Sequence, residues 1–374
     1  MTRVMQINSG QKFGGVSSMI FNWYKDMNRE EVQFDFVAPR TTSFKIYEDT
    51  IKSMNGRIYE LKTSGNLVKR KIQFFYRLTK LIRKNKYDVV HVNSGSIFLN
   101  IQVSWIAKFC GVKKIIVHSH NSGNDNTFLT WFTKICKPLL EFGPSLYFAC
   151  SRTAADFMFT KKRINSGEYT VINNGVDVDR FKYEPMIREE YRKKLGLNGK
   201  TALLHVGRFV PAKNHTKLIE IFSQFHKMHP ETVLLLVGEG ELLGDVKKQV
   251  TKLGLDNFVR FLGLRKDIPA LMSAADLFVL PSLYEGLPVV GVEAQASGLP
   301  CVFSESITQE VDILKGHNQF VDLSESESYW EKQMMELISK SSKFQRGAAA
   351  EQVAVNGYSL KSVAKQLEKL YLQA

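Results

Sequence analysis

Short runs of β-branched and aromatic residues alternate along this chain with longer stretches whose apolar residues recur at helical intervals. Residues 4–7 read as a strand, 16–27 as a helix, and 32–37 and 57–61 as strands. An amphipathic helix follows through 67–86, then a strand at 88–92, a helix at 97–110 and strands at 114–118, 145–150 and 169–172. A polar, charged stretch from about 178 to 200 reads as a linker. The alternation then restarts, with strands at 201–206, 232–237, 257–262, 277–280, 300–303 and 319–322. Helices fall between them at 216–229, up to about 253, at 268–274 and at 289–297, and a last helix covers 360–372. Repeated strand–helix–strand units predict a parallel, doubly wound α/β sheet, here twice. The expected domains are 1–180 and 181–357, with a C-terminal helix over about 358–374 able to pack back on the first. Two such sheets facing one another would leave a cleft at their strand C-terminal ends, where open α/β sheets take ligands.

Composition agrees with two soluble domains and excludes several other classes. The chain has 374 residues, and domains average roughly 150. It is 44% hydrophobic and 24% charged, unlike a disordered, collagenous or disulfide-dense chain. No apolar run approaches the roughly 18 residues of a membrane span, and the N-terminus turns polar before a signal-peptide core could form. A cytoplasmic protein is expected. Cys110, Cys136, Cys150 and Cys301 are scattered without C-x-x-C spacing and read as reduced thiols.

Charge changes the picture in one half only. Residues 1–180 carry 27 Lys and Arg against 14 Asp and Glu, whereas residues 181–374 carry 24 against 23. Such asymmetry suggests an anionic partner: nucleic acid, an anionic membrane or a phosphorylated substrate. The densest basic run is Lys69, Arg70, Lys71, Arg77, Lys80, Arg83, Lys84 and Lys86, interleaved with Phe74, Leu78, Leu81 and Ile82 at helical spacing. With Phe74 and Phe75, such a helix can lie on an anionic bilayer; its alternative is a surface helix packed on a sheet with a solvated basic face.

Two strand-to-helix loops hold the candidate chemistry. In the stretch 281–293, Glu285 lies in the loop and Glu293 eight positions later in the helix, which Pro288 opens. The free backbone N–H groups of Val289 and Val290 make a natural phosphate site, while the carboxylates suit sugar and ribose hydroxyls. In the stretch 206–214, Arg208 and Lys213 also follow a strand, and two cations there could hold a pyrophosphate as it departs. Two other patterns carry less. Asp177-Val178-Asp179 has the look of a metal motif but follows Asn173-Asn174-Gly175 at the domain boundary. Gly238-Glu239-Gly240 with Gly244 misplaces the third glycine of a dinucleotide fingerprint.

With these loops, Gly14-Gly15, His118-Ser119-His120-Asn121 and Asn173-Asn174-Gly175-Val176-Asp177 complete a set that resembles the retaining, nucleotide-sugar glycosyltransferases of the GT-B fold in the "group 1" family. Within that family it is similar to the enzymes that build bacterial exopolysaccharide or capsule. The resemblance implies transfer of a sugar, with retention, from a nucleoside diphosphate (UDP favoured) to a saccharide hydroxyl, with no metal and no other cofactor. It implies that Arg208 and Lys213 bind the diphosphate, Glu293 the ribose and Glu285 the donor sugar. Gly286, Leu287, Val289 and Val290 would contact sugar and phosphates, and Gly238, Arg260 and Phe261 would lie near the base. Gly14 and Gly15 would let the first loop approach the donor. His120 would lie beside the reacting sugar, with His118 and Asn121 on the acceptor side; His91 would only line the cleft. The implied acceptor is a saccharide, on a polyprenyl diphosphate or otherwise, and no nucleic acid is expected. The implied place is the inner face of the plasma membrane, held peripherally. The rivals are a GT-B epimerase or phosphorylase and a non-enzymatic membrane- or nucleic-acid-binding module, which would leave the second-half loops without a purpose.

Overall fold

The computed structural model describes residues 1–8, 15–120, 127–341 and 344–373. Gly14 and Asn121, both expected at the site, lie outside them. The chain forms two compact units, one of Met1–Gly175 with Leu360–Ala374 and one of Val176–Ser359.

In chain order the first unit contains β1 (Thr2–Asn8), α1 (Gly15–Asp26), β2 (Val32–Ala38), α2 (Glu48–Ser53), β3 (Arg57–Glu60), α3 (Leu67–Asn85), β4 (Val89–Asn93), α4 (Ile97–Phe109), β5 (Lys114–Ser119), α5 (Thr127–Leu140), β6 (Leu146–Ala149), α6 (Arg152–Met158), α7 (Lys161–Ser166) and β7 (Thr170–Val171). The second contains α8 (Val178–Phe181), α9 (Pro185–Lys194), β8 (Thr201–Val206), α10 (His215–Met228), β9 (Thr232–Val237), α11 (Leu243–Lys252), β10 (Val259–Phe261), α12 (Ile268–Ala274), β11 (Leu277–Leu280), α13 (Val289–Ala296), β12 (Cys301–Ser304), β13 (Asn318–Val321), α14 (Glu327–Ser341) and α15 (Ala349–Val353). The last helix, α16 (Leu360–Leu372), belongs to the first unit.

Both sheets are parallel, in the orders β3-β2-β1-β4-β5-β6-β7 and β10-β9-β8-β11-β12-β13. The fold class is therefore α/β with two Rossmann-like sheets. Parallel strands are covered on both faces, which explains why β2 and β9 are buried at every residue and why β9 reads as a near-continuous apolar run. In each sheet the winding reverses once, between β1 and β4 and between β8 and β11, and the strand ends at such a reversal form the usual ligand crevice.

The stretch 178–200, read from sequence as a linker, is folded. It forms α8 and α9, which pack in the second unit, and Arg188 and Arg192 both bind Asp276 at 2.5 and 3.0 Å. Its polarity misled because α9 buries no residue fully: it is fastened by guanidinium contacts to the carbonyls of 273–275, not by an apolar stripe. Helices α2, α5, α6, α7, α14 and α15 carried no expectation.

The cores explain the rest. In the first unit Trp23, Tyr24, Phe34 and Phe36 pack with Leu360, Val363, Leu367 and Tyr371 of α16. In the second, Leu218, Phe222 and Phe225 of α10 meet β9 and Trp330 of α14.

Candidate active site

The second reversal brings together the two loops singled out above. The loop after β8 holds Gly207, Arg208 and Lys213; the loop after β11 holds Ser282, Glu285 and Gly286. The amide of Leu283 donates to the Ala212 carbonyl, tying them. Lys213 binds Glu285 Oε1 directly, and Ser282 Oγ donates to that oxygen at 3.0 Å, so the carboxylate is held from two sides. Arg208 is exposed, and its guanidinium has no partner among the described residues. Thus one expected cation is unpaired among the described residues and the other is held by an expected sugar-binding carboxylate.

Beneath Lys213 lie two histidines that sequence reasoning missed. His205 donates through Nδ1–H to the Val279 carbonyl, 2.8 Å away, and its ring is 4.7 Å from that of His215, which stacks on Phe209. Burial holds His205 well below the ordinary histidine range and His215 at about 4, so both are neutral. They offer Lys213 an uncharged floor.

Glycine at 238 is demanded by geometry. Its φ is +141°, and a Cβ there would meet the Gly207 carbonyl oxygen at 2.0 Å. The residue lets the loop after β9 press against the loop carrying Arg208. Gly15, by contrast, opens α1, and no described residue lies within 4 Å of its would-be Cβ.

Helix α13 begins at Val289 with Pro288 as its N-cap, leaving its first amides without a side-chain cap. Leu287 is buried and Val289 and Val290 half-buried. One turn in, burial raises the Glu293 carboxyl from 4.5 to about 8, opposed by Arg180. Arg260, expected near a base, turns instead to the Leu195 carbonyl behind α9, whereas Phe261 packs 6.2 Å from Phe209 with Lys247 over its ring. Strand alternation separates these neighbours: consecutive side chains leave opposite faces. Asp177 accepts from the Arg180 amide and caps α8. Among the described residues no group of three or more His, Cys, Asp or Glu is placed to hold a metal.

A cavity of about 790 Å³ opens at the other edge of this sheet, lined by Arg188, Arg192, Asp276 and Arg346. Arg346 donates to the carbonyls of Met272, Ala275 and Ser297, and Arg188 to those of 273–275. These guanidiniums secure the end of α12, so the cavity is assigned to packing.

In the first unit His118 is the penultimate residue of β5 and His120 follows the strand, with ring centroids 4.0 Å apart. His118 is fully buried and His120 is 7% exposed. Burial depresses both, His120 to about 3, so each is a neutral imidazole. His91 is not a surface-lining residue: it is fully buried between Tyr371 and His118.

Comparison with known proteins gives these features a family. Residues 187–351 match glycosyl transferases group 1, and residues 13–180 match glycosyltransferase family 4. EpsF of Bacillus subtilis (strain 168), a protein named as a glycosyltransferase, is 32% identical over 334 residues, covering 88% of this chain and 85% of its own. The chain belongs to the group 1 glycosyltransferases. A further relative of this glycosyltransferase is the UDP-Gal:alpha-D-GlcNAc-diphosphoundecaprenol alpha-1,3-galactosyltransferase of Escherichia coli, 31% identical over 236 residues, or 61% of this chain and 60% of the relative. The crystal structure of Anabaena HepE in complex with UDP matches with TM-score 0.80 and 20% identity over 99% of each chain. WaaG, a glycosyltransferase involved in lipopolysaccharide biosynthesis, matches with TM-score 0.74 and 17% identity over 100% of each. The glycosyltransferase has the GT-B fold of these neighbours. Among its described residues no helix is long and apolar enough to cross a membrane.

Proposed function

We propose that this glycosyltransferase moves a hexose or N-acetylhexosamine from a nucleoside-diphosphate sugar, with UDP favoured, to a lipid-linked saccharide with retention of configuration, in exopolysaccharide or capsule synthesis. The observation that carries the reading is the meeting of Arg208, Lys213 and Glu285 at the reversal of the second sheet, beside the uncapped start of α13. A diphosphate bound there takes charge-assisted bonds from Arg208 and Lys213 and from the first amides of α13. Negative charge grows on it as the glycosidic bond breaks, and these donors are strongest at that moment. Lys213 leaves Glu285 in part to meet the diphosphate, freeing the carboxylate for sugar hydroxyls. Glu293 accepts from the ribose. Attack comes from the acceptor hydroxyl on the face the diphosphate leaves. Two cations and a helix start supply the leaving-group stabilisation, so no metal or other cofactor is needed.

The donor and acceptor classes draw support from the relatives. The Escherichia coli relative is named for a UDP-sugar donor and a diphosphoundecaprenol acceptor, and HepE binds UDP-glucose in another of its crystal structures. Helix α3 supports a peripheral place on the inner, anionic face of the plasma membrane. Leu67, Val68, Ile72, Phe75 and Tyr76 are all more than half exposed among its basic residues, as are Trp131 and Ile135 of α5. No observation favours nucleic acid.

The deciding experiment incubates the protein with a panel of nucleotide sugars in excess EDTA and follows nucleoside diphosphate release with and without lipid-linked acceptors. The expected result is acceptor-dependent release and an anomeric linkage that keeps the donor's configuration. Conversion of donor without acceptor would mark an epimerase instead. Activity lost in EDTA and restored by Mn2+ or Mg2+ would return attention to Asp177 and Asp179.

A further inference from the structure

A single hydrogen-bonded chain joins the last helix of the protein to both histidines expected at the site, His118 and His120. Gln6 Nε2 donates to Tyr371 Oη at 3.0 Å, and Tyr371 Oη meets His91 Nδ1 at 2.7 Å. His91 Nε2 meets His118 Nδ1 at 3.3 Å. In the other direction Asn93 Nδ2 donates to Gln6 Oε1 at 2.8 Å, and Asn93 Oδ1 meets His120 Nε2 at 3.1 Å. Every member is buried. Burial keeps the three imidazoles neutral and the Tyr371 phenol protonated. Trp23 lies nearly parallel to the rings of His91 and His118, at 11° and 5°, and the two imidazoles lie within 6° of parallel to each other.

A neutral imidazole carries one proton, so donating from one nitrogen obliges the other to accept. With the amides as described, Gln6 donates to the phenol and the phenol's only proton goes to His91 Nδ1. His91 then carries its proton on Nε2, gives that bond to His118 Nδ1, and leaves His118 protonated on Nε2. His120 donates from Nε2 to Asn93. Turning both amides over reverses every bond, and then all three histidines carry their protons on Nδ1. The phenol accepts on one side and donates on the other, so it transmits direction between the two arms. The free ends, His118 Nε2 and His120 Nδ1, have no partner among the described residues. They are always one donor and one acceptor.

We propose that Tyr371 is a positioning residue for His120, closing a chain that forces His91, His118 and His120 into one shared tautomer. The link to catalysis rests on the reading that His120 borders the reacting sugar; the tautomer coupling does not. Removing the hydroxyl separates the arms, leaving Gln6 and Asn93 able to turn independently of His91 and His118.

The test is long-range 1H–15N correlation on full-length protein labelled at histidine, with signals assigned by single His→Gln variants. Wild type is expected to show the three rings protonated on the same nitrogen. In Tyr371→Phe the agreement is lost and His120 becomes a mixture. With a nucleotide sugar that the panel shows to be a donor, kcat falls roughly tenfold or more while donor KM stays within about twofold, the scale on which losing an outer partner of a working histidine acts. Leu367→Ala, which removes packing from the same helix, lowers Tm yet keeps the shared tautomer. Different tautomers in the wild type, or an unaltered pattern and kcat in Tyr371→Phe, would overturn the proposal. Ordered tautomers that Tyr371→Phe scrambles, in a protein that turns over no nucleotide sugar, would leave the coupling standing and remove the donor reading.

Discussion

Arg208 and Lys213 were expected to act alike, yet their surroundings differ and so do their expected variants. Arg208 is exposed and its guanidinium is unpartnered among the described residues, so Arg208→Ala should leave Tm unchanged. Lys213 holds Glu285, and Lys213→Ala removes the cation from that carboxylate while Ser282 still donates to it. Steady-state assays should show kcat falling roughly 10²–10³-fold in both, as for loss of one donor to developing charge; near-normal turnover in both would remove the diphosphate site from this loop. Glu293 sets up an opposing stability effect. Its folded pKa, raised by burial to about 8, lies above the ordinary 4.5, so between these values the folded state binds more protons than the unfolded one. Stability is therefore lost as pH rises from 4.5 to about 8. Glu293→Gln, which mimics the neutral acid, should raise the ligand-free Tm more at pH 8 than at pH 5 while weakening nucleotide binding. Equal Tm gains at the two pH values would contradict this.

Helix α3 has two apolar aspects that the spacing of Phe74, Leu78 and Ile82 shows only in part. Those three are buried, whereas Leu67, Val68, Ile72, Phe75 and Tyr76 face solvent among seven Lys and Arg and no acid. The cations are not equivalent either. Arg77 donates to the carbonyls of Leu61 and Lys62 at 2.6 and 2.9 Å, fastening the connection that enters the helix. Charge reversal at Arg77 would thus injure the fold. Reversal of the exposed Lys69, Lys71, Lys80 and Lys84 to glutamate should instead abolish flotation with anionic vesicles and leave Tm intact, since each cation near such a surface contributes about 1 kcal/mol, screened by salt. Wild type that ignores anionic vesicles at low salt would point to a soluble acceptor.

For the molecule as a whole, α16 is decisive: the chain completes its first unit with its last helix. Leu360, Val363, Leu367 and Tyr371 enter the core around Trp23 and Phe34. Leu367→Ala is expected to cost about 2–5 kcal/mol, the range for a large-to-small change in a core. Calorimetry should show that loss in the transition of the first unit and little in that of the second. Removing 360–374 should leave the second unit folded and the first proteolysed. A truncated chain that keeps both transitions would contradict this.

The alternation of short apolar strands and amphipathic helices, the two parallel sheets and the glutamate and cation loops were all legible in the residues. Each depends on a pattern that acts within a few positions, such as the period of burial or the proline that starts a helix. The partners of those residues were not legible. Lys213 on Glu285, Arg260 turned to Leu195 and the folding of 178–200 against α12 follow from strand order and crossovers. Gln6 and Tyr371 stand 365 positions apart, and no local period can pair them. Burial with its hydrogen bonds, which makes three histidines neutral and couples their protons, is a property of side chains that only the packed sheet and the returning helix bring together.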